Sequence, residues 1–337
     1  METTWFCLIA VMLAVYVVLD GFDLGAGAAH FLVARNEAER RLVLRSIGPV
    51  WDGNEVWLLA SGGTLYFAFP ALYAASFSGF YLPLMIVLWL LILRGISIEF
   101  RNHIESLVWH PLWDAVFAGS SALLAIFFGA ALGNVVRGVP LDAAGDFFLP
   151  LWTDFSPGKD AGILDWYTIL VALAALLTLT VHGALWLALK NEGEVERRAR
   201  TVASRAWWAV LGSVIAITLV SFRIQPHLQE SFAARPWGYV FPLLALIGLV
   251  GMKVMNAARR VLEAFAASCL FVVGKLTSVA AGLYPYVLPS NVDAARSLTV
   301  MNAAAARYGQ EIGLMWFMPG MLLTSAYFFY TYRSIAG

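Results

Sequence analysis

The sequence predicts an all-α protein that crosses a membrane many times. Apolar residues make up 61% of its 337 residues and charged residues only 13%, a balance typical of polytopic membrane proteins. Lysine plus arginine equals aspartate plus glutamate at 22 each, and no basic cluster is interleaved with aromatic residues. Membrane lipid is therefore the expected surrounding, and nucleic acid is not an expected partner.

Nine apolar runs are each long enough to cross a bilayer, which takes about 20 helical residues. They cover residues 5–33, 53–75, 77–99, 113–136, 163–189, 204–222, 237–257, 264–284 and 311–332. Between the second and third runs, Pro70 and the small residues from Ala74 to Gly79 must form a very tight turn, or the two runs form a re-entrant pair. We predict nine transmembrane helices.

Basic residues are concentrated in alternate connections between these helices. One side holds most of them, including Arg40, Arg45, Arg198 and Arg260, and the opposite side holds few, such as Arg137. The positive-inside rule then places the N-terminus in the periplasm and the C-terminus in the cytoplasm, which requires an odd number of helices. The first run lacks the basic start and the cleavage site of a signal peptide, so we expect it to be retained as an anchor.

The nine helices divide unevenly around one long connection. Four precede residues 137–162 and five follow, which would permit a duplicated architecture within a single integral membrane domain of residues 1–337. The connection contains several aspartates and prolines and falls on the outer side. It is predicted to be a periplasmic loop, either a structured cap or a partner surface.

Two carboxylates and an amide stand at the start of the second predicted helix. Asp52 and Glu55 are three residues apart, so both would lie on one helix face, with Asn54 beside them. Helix capping and the helix dipole also favour an acid at this position, which leaves capping as the alternative for Asp52. Carboxylates held in a half-hydrated site exchange protons near neutral pH. The spacing therefore predicts a proton-loading site.

The preceding helix repeats the pattern with Asp20 and Asp23, beside Gly21 and Gly25. A buried ionised carboxylate costs several kcal/mol unless it is paired, hydrated or protonated. One interpretation is structural: the glycines allow close helix packing, and the acids bond a neighbouring helix. The other is proton relay or ion binding.

Lys275 is the only basic residue near the middle of a predicted helix. Its stem is short for reaching the membrane surface, so a buried ion pair with Asp20 or Glu55 is expected. Such a pair would serve either the geometry of the fold or the chemistry of the acids.

The remaining polar residues near predicted helices have ordinary explanations. Glu99, Arg101 and the nearby Arg94 are interpreted as anchors at the cytoplasmic interface. His182 lies firmly within a predicted helix, where a satisfied hydrogen bond is a more common role than haem ligation. No metal site or catalytic motif is found, so the sequence predicts neither a metal ligand set nor catalytic residues in this chain.

Several motifs carry a family resemblance. They are DGFDLGAG (Asp20–Gly27), PVWDGNEVWL (Pro49–Leu58), FSGFYLP (Phe77–Pro83), LRGISIEFR (Leu93–Arg101), YPYVLPS (Tyr284–Ser290) and SLTVMNA (Ser297–Ala303). The chain resembles subunit II of the cytochrome bd family of terminal quinol oxidases, and its EFR run looks nearer to the cyanide-insensitive branch. The resemblance implies two four-helix bundles, residues 1–136 and 163–337, the second with one added peripheral helix.

The resemblance also implies a function for the complex. Such oxidases of the bacterial cytoplasmic (inner) membrane oxidise ubiquinol or menaquinol and reduce dioxygen to water, building a proton gradient without pumping. Subunit I would hold two b-type haems and one d-type haem, and this subunit would bind none. Some members hold a structural quinone here, and small single-helix subunits are further expected partners. A stand-alone proton-coupled membrane transporter is the alternative.

By motif, the resemblance assigns a proton path to this chain. Asp52 corresponds to the position proposed to conduct protons from the cytoplasm, with Asp20 and Asp23 as supporting residues. Two departures concern that route: Glu55 stands where others carry glutamine, and the outer segment between the sixth and seventh helices is shorter.

Overall fold

The computed structural model describes residues 1–335 and is almost entirely helical. The first six helices are α1 (Glu2–Val33), α2 (Glu37–Ile47), α3 (Trp51–Ala68), α4 (Pro70–Gly79), α5 (Tyr81–Phe100) and α6 (Trp109–Arg137). The last six are α7 (Trp166–Lys190), α8 (Gly193–Ile224), α9 (His227–Ala234), α10 (Val240–Ala257), α11 (Val261–Leu283) and α12 (Arg307–Ile335). Strands β1 (Tyr286–Leu288) and β2 (Leu298–Thr299) pair antiparallel, and short 3-10 turns span Pro236–Tyr239 and Ala294–Arg296.

Eight of the described helices are long and apolar enough to cross a membrane: α1, α5, α6, α7, α8, α10, α11 and α12. Helix α3 has 18 residues, but Asp52, Asn54 and Glu55 make its first turns polar. The fold is therefore that of a helical, multi-span membrane protein, as the sequence predicted. The ninth span, the division into two bundles and the orientation of the termini stay predictions.

The predicted second span, residues 53–75, has the wrong extent. Helix α3 ends at Ala68, and α4 begins at Pro70. Between them, Phe69 has a non-helical backbone, with φ −134° and ψ 67°. Proline lacks the N–H that would continue the helix and disfavours helical backbone in the residue before it. The region expected to turn tightly therefore forms a separate short helix before α5 starts at Tyr81.

Helix α1 is the central element around which the polar residues are arranged. It packs against α3, α6, α7 and α11, so it contacts helices of both predicted bundles. Where α1 crosses α7, Gly25 and Gly183 lie backbone to backbone, and a Cβ on Gly25 would be 1.8 Å from the Leu179 carbonyl oxygen. Small residues permit this close approach of membrane helices. The crossing fixes the depth of Asp20 and Asp23 beside α3.

Candidate functional site: a buried arginine among acids

Arg94, on α5, is fully buried and joins acids from two other helices. Its Nη1 lies 2.7 Å from Oδ1 of Asp20 on α1, and its Nη2 donates to Oε2 of Glu55 on α3 at 3.0 Å. Asp20 is also fully buried, whereas the Glu55 side chain is 22% exposed. One guanidinium therefore links an acid in the interior to an acid at the surface of the chain.

A second set of contacts surrounds Asn54. Its Nδ2 donates to Oδ2 of Asp23 at 2.8 Å, and its Oδ1 accepts from the Tyr332 hydroxyl at 2.7 Å. Asp23 and Asn54 are buried, and Tyr332 belongs to α12. The last long helix of the chain thus completes the polar environment of α1 and α3.

Several atoms of this cluster have no aligned hydrogen-bond partner among residues 1–335. They are both carboxylate oxygens of Asp20, Oδ1 of Asp23, Nε and Nη1 of Arg94, and the Tyr16 hydroxyl. The Arg94–Asp20 contact is thus a close ion pair without hydrogen-bond alignment. Buried polar groups are normally satisfied, and the exceptions include sites that bind water or an ion and sites that do chemistry. The cluster has the spare acceptor capacity that proton transfer requires.

Asp52 lies outside this buried cluster. It is exposed in the first turn of α3, one turn before Glu55 on the same face. The N-cap position of α3 is Val50, and no side chain caps this helix. The structure therefore gives Asp52 no capping hydrogen bond, which was the main alternative to a role in proton transfer. Exposure falls from Asp52 through Glu55 to Asp20.

The predicted pairing of Lys275 with Asp20 or Glu55 is wrong. Both acids pair with Arg94, and no carboxylate of the described part of the chain lies within ion-pair distance of Lys275. The interpretation of Arg94 and Arg101 as interface anchors is also wrong, because both are buried. The sequence contained a signal for this burial. Residue 94 lies inside the predicted span 77–99, and a charged side chain buried in a membrane span needs a partner.

Arg101 belongs to a second buried charge cluster, at the end where α1 leads into α2. Its Nε donates to Oδ1 of Asp114 at 2.6 Å, and its Nη2 donates to Oε2 of Glu37 at 2.9 Å. His30 Nε2 lies 3.2 Å from the same Asp114 oxygen. Partial burial raises the pKa of Glu37, but hydrogen bonds from Arg101 and Arg41 lower it more, so the net pKa is below its ordinary value. Glu37 therefore stays ionised near neutral pH.

The histidine within a predicted helix is held by protein groups. His182 Nδ1 lies 2.7 Å from the Ser268 hydroxyl, and Nε2 lies 2.9 Å from the Val18 carbonyl oxygen. Within the described residues, no group of three or more histidine, cysteine, aspartate or glutamate side chains could hold a metal ion. Among the described residues, the acids around Arg94 are the candidate site that we carry forward.

These features define a class: a polytopic helical membrane protein with a buried acid–arginine cluster that reaches its surface at one helix start. A family model described as cytochrome bd terminal oxidase subunit II matches residues 1–335. The chain belongs to this family, which confirms the resemblance drawn from its motifs. Its nearness to the cyanide-insensitive branch stays a prediction.

Individual relatives agree with the family. The chain is 30% identical over 359 residues to the probable cytochrome oxidase subunit 2 of Haemophilus influenzae, covering 99% of this chain and 93% of that one. It is 30% identical over 337 residues to the cytochrome bd ubiquinol oxidase subunit 2 of Bacillus subtilis, covering 98% and 95%. A solved structure of the bd oxidase from Geobacillus thermodenitrificans has the same fold, with a TM-score of 0.76 at 19% identity, covering 99% of this chain and 98% of that one.

Family membership has direct consequences for the chain. It is one subunit of an oxidoreductase complex of respiratory electron transport, and a partner subunit I is implied. The haems implied by the family belong to that partner.

Proposed function

We propose that the chain is subunit II of a quinol:oxygen oxidoreductase of the aerobic respiratory chain, and that it supplies cytoplasmic protons for the reduction of dioxygen to water. Its partner, subunit I, would carry two b-type haems and one d-type haem, oxidise the quinol and bind dioxygen. The complex would build its gradient from these chemical protons and the charge separation, without pumping.

The observation that carries this proposal is the order of acids from surface to interior. Asp52 is exposed, Glu55 is partly exposed, and Asp20 is fully buried behind the Arg94 guanidinium. Arg94 stays charged and holds both neighbouring carboxylates in place, while the carboxylates accept and release protons. Asn54 and Asp23 extend the polar region on the inner side.

The orientation that we propose places Asp52 at the cytoplasmic face. The end of the molecule where α1 leads through α2 into α3 carries Arg35, Arg40, Arg41 and Arg45, as the positive-inside rule expects for the cytoplasm. With α3 counted as the ninth span, the N-terminus is periplasmic and the C-terminus cytoplasmic. The protein would then lie in the bacterial inner membrane and draw protons from the cytoplasm.

The face that meets subunit I lies, in this proposal, on α3 and α12. Leu59 and Tyr66 on α3 and Trp316, Leu323 and Tyr330 on α12 are each more than 60% exposed. Aromatic and aliphatic side chains of this kind suit a helix–helix interface as well as lipid. Protons leaving the acid cluster along this face would reach the partner directly. A structural quinone and small single-helix subunits have no residue assigned to them here.

The stand-alone transporter is not retained as a second function. The acids alone would suit a proton-coupled transporter, but the chain belongs to an oxidase subunit family over residues 1–335. Co-purification of a haem-bearing subunit with this chain is therefore the expected result, and a colourless, homogeneous preparation would contradict the proposal.

The decisive test replaces Asp52 by Asn in the intact complex. We expect quinol-driven oxygen consumption to fall about tenfold or more, because a proton acceptor is lost, with the haem spectrum unchanged. Glu192→Gln is the matched control, since Glu192 is another exposed carboxylate at the same end, beside the start of α8, with no ion pair within the described structure.

The alternatives give different results in this test. Full turnover in D52N with an intact haem spectrum would reject a required role for Asp52. Loss of the haems in D52N would indicate that this residue supports assembly of subunit I instead.

A further inference from the structure

We propose a second route for protons to Asp23, along one face of α1 that Asp52 and Glu55 do not touch. This route, the α1 stripe, consists of Asp23, Gly27 and His30 on α1 with Ser121 on α6. The inference rests on the proposed proton supply and extends it by a second entrance at the same end of the molecule.

The positions of these residues make a continuous line. Residues 23, 27 and 30 are four and three apart, so they occupy one face on successive turns, about 6 Å and about 4.5 Å apart along the axis. Gly27 has no side chain, and the Ser121 hydroxyl fills that space: a Cβ on Gly27 would lie 2.2 Å from Oγ. The Ser121 hydroxyl therefore lies against the turn of α1 between Asp23 and His30.

Each polar group on the stripe has an unused, fully buried atom. Oδ1 of Asp23, Oγ of Ser121 and Nδ1 of His30 have no hydrogen-bond partner in the described chain. The side chains of Ser121 and His30 are 0% exposed, and Asp23 is 1% exposed. Three such atoms on successive turns depart from the rule that buried polar groups are paired. Single bridging waters between them would satisfy all three.

The far end of the stripe reaches the surface through the second charge cluster. His30 Nε2 contacts Asp114, and Arg101 holds Asp114 and Glu37 on its two sides. The Glu37 side chain is 40% exposed, and His110 Nδ1 lies 3.5 Å from it. In this proposal Glu37, which is ionised at rest, takes up a solvent proton only in transit, and the proton reaches His30 by way of Asp114 without crossing α3.

The transfer is a proton relay with no change in electrons. A proton arriving from Asp114 forms an N–H bond at His30 Nε2, and the N–H bond at Nδ1 breaks as its proton passes to water and the Ser121 hydroxyl, which leaves the imidazole neutral in its other tautomer. That hydroxyl accepts one proton and releases its own toward Oδ1 of Asp23, where an O–H bond forms. Arg101 remains charged throughout and only positions the two carboxylates.

The test compares Ser121→Ala with Ser120→Ala in the intact complex, each alone and combined with D52N. Ser120 is the matched control, because it is a buried neighbour whose hydroxyl already donates to the Val116 carbonyl oxygen of its own helix at 2.7 Å. The measurements are oxygen consumption and proton uptake by liposomes with a trapped pH indicator. Haem absorbance verifies assembly.

We expect S121A alone to lower proton uptake by only about a tenth, because the Asp52 route remains and carries most of the flux. Combined with D52N it should lower the residual uptake about tenfold further, whereas S120A should change neither. Equal rates for S121A and S120A in the D52N background would overturn the α1 stripe.

Asp23→Asn separates this proposal from the proposed function. Loss of turnover in D23N, together with equal rates for S121A and S120A, would reject only the second route. Full turnover in D23N would overturn the α1 stripe, which ends at Asp23, and would leave the route from Asp52 through Glu55 to Asp20 to be judged by D52N alone.

Discussion

Two buried arginines, Arg94 and Arg137, hold aspartates in opposite ways. Arg137 stands at the end of α6 and pairs with Asp165, which caps α7. Its Nη1 also donates to the Gly162 carbonyl oxygen at 2.9 Å, and its Nη2 donates to Oδ1 of Asn134 at 2.7 Å. The cap of α7 uses the other carboxylate oxygen of Asp165, and both terminal nitrogens of Arg137 donate hydrogen bonds. The pair therefore fixes the end of the long connection between α6 and α7.

Arg94 is equally buried but much less completely bonded. Two of its nitrogens and both oxygens of Asp20 lack aligned hydrogen bonds among the described residues. A saturated pair has no capacity for another proton, whereas an unsaturated pair does. The contrast teaches that burial of an ion pair alone does not reveal its role. The number of unused donors and acceptors separates the Arg137 cluster from the Arg94 cluster that we propose handles protons.

The largest effect is expected from Arg137→Met, which would break the saturated cluster. Asp165 would remain buried without its counter-ion, which costs about 3–5 kcal/mol of stability. We expect loss of assembled complex, measured as haem-containing protein after solubilisation and as the melting temperature. Arg223→Met is the control, because Arg223 is exposed near the end of α8. A complex of R137M as stable as R223M would show that the cluster does not hold the fold.

Arg94→Met should affect activity more than assembly. Asp20 and Asp23 can take up protons when their counter-ion is lost, which limits the loss of stability, but they would then no longer release those protons. We expect turnover to fall about 100-fold, with a smaller drop in melting temperature than in R137M. Arg94→Lys keeps the charge but cannot contact both acids in the same fork geometry, so partial recovery is expected. The reverse order of melting temperatures would refute the contrast between the clusters.

The smallest effect is expected from Glu55→Gln. Glu55 is the partly exposed end of its contact with Arg94, and exposed pairs contribute about 0.2–1 kcal/mol. The family resemblance also implies glutamine at this position in other members. We expect oxygen consumption to fall about two- to fivefold, with an unchanged haem spectrum. A loss as large as that of D52N would mean that Glu55 itself is an obligatory proton carrier.

The sequence was sufficient to predict the helical membrane fold and the acids. The cost of burying a charge was enough to predict that Asp20, Asp23 and Glu55 are paired, hydrated or protonated. Helical spacing predicted that Asp20 and Asp23 share one helix face, and that Asp52 and Glu55 share another. The end of α3 was predicted wrongly because the apolar run continues past Pro70, whereas the helical hydrogen bonding of the backbone does not. A sequence pattern predicts a helix well when the interactions that form the helix join residues close together in the chain.

The partners of the acids could not be predicted in the same way. Lys275 lies nearer the middle of its helix than Arg94 does, so depth favoured the lysine, but which helix faces α1 at that depth is decided by packing. The structure places Arg94 of α5 there. Tyr332 was unpredictable for the same reason, because 278 residues separate it from Asn54.

The bond between Tyr332 and Asn54 has a consequence for how the chain is made. Synthesis proceeds from the N-terminus, so the acids of α1 and the amide of α3 enter the membrane long before α12 exists. Asn54 receives its phenolic partner only when the final helix has been inserted. The polar centre is thus finished last, by the end of its own polypeptide, and a chain that stops early would leave it incomplete.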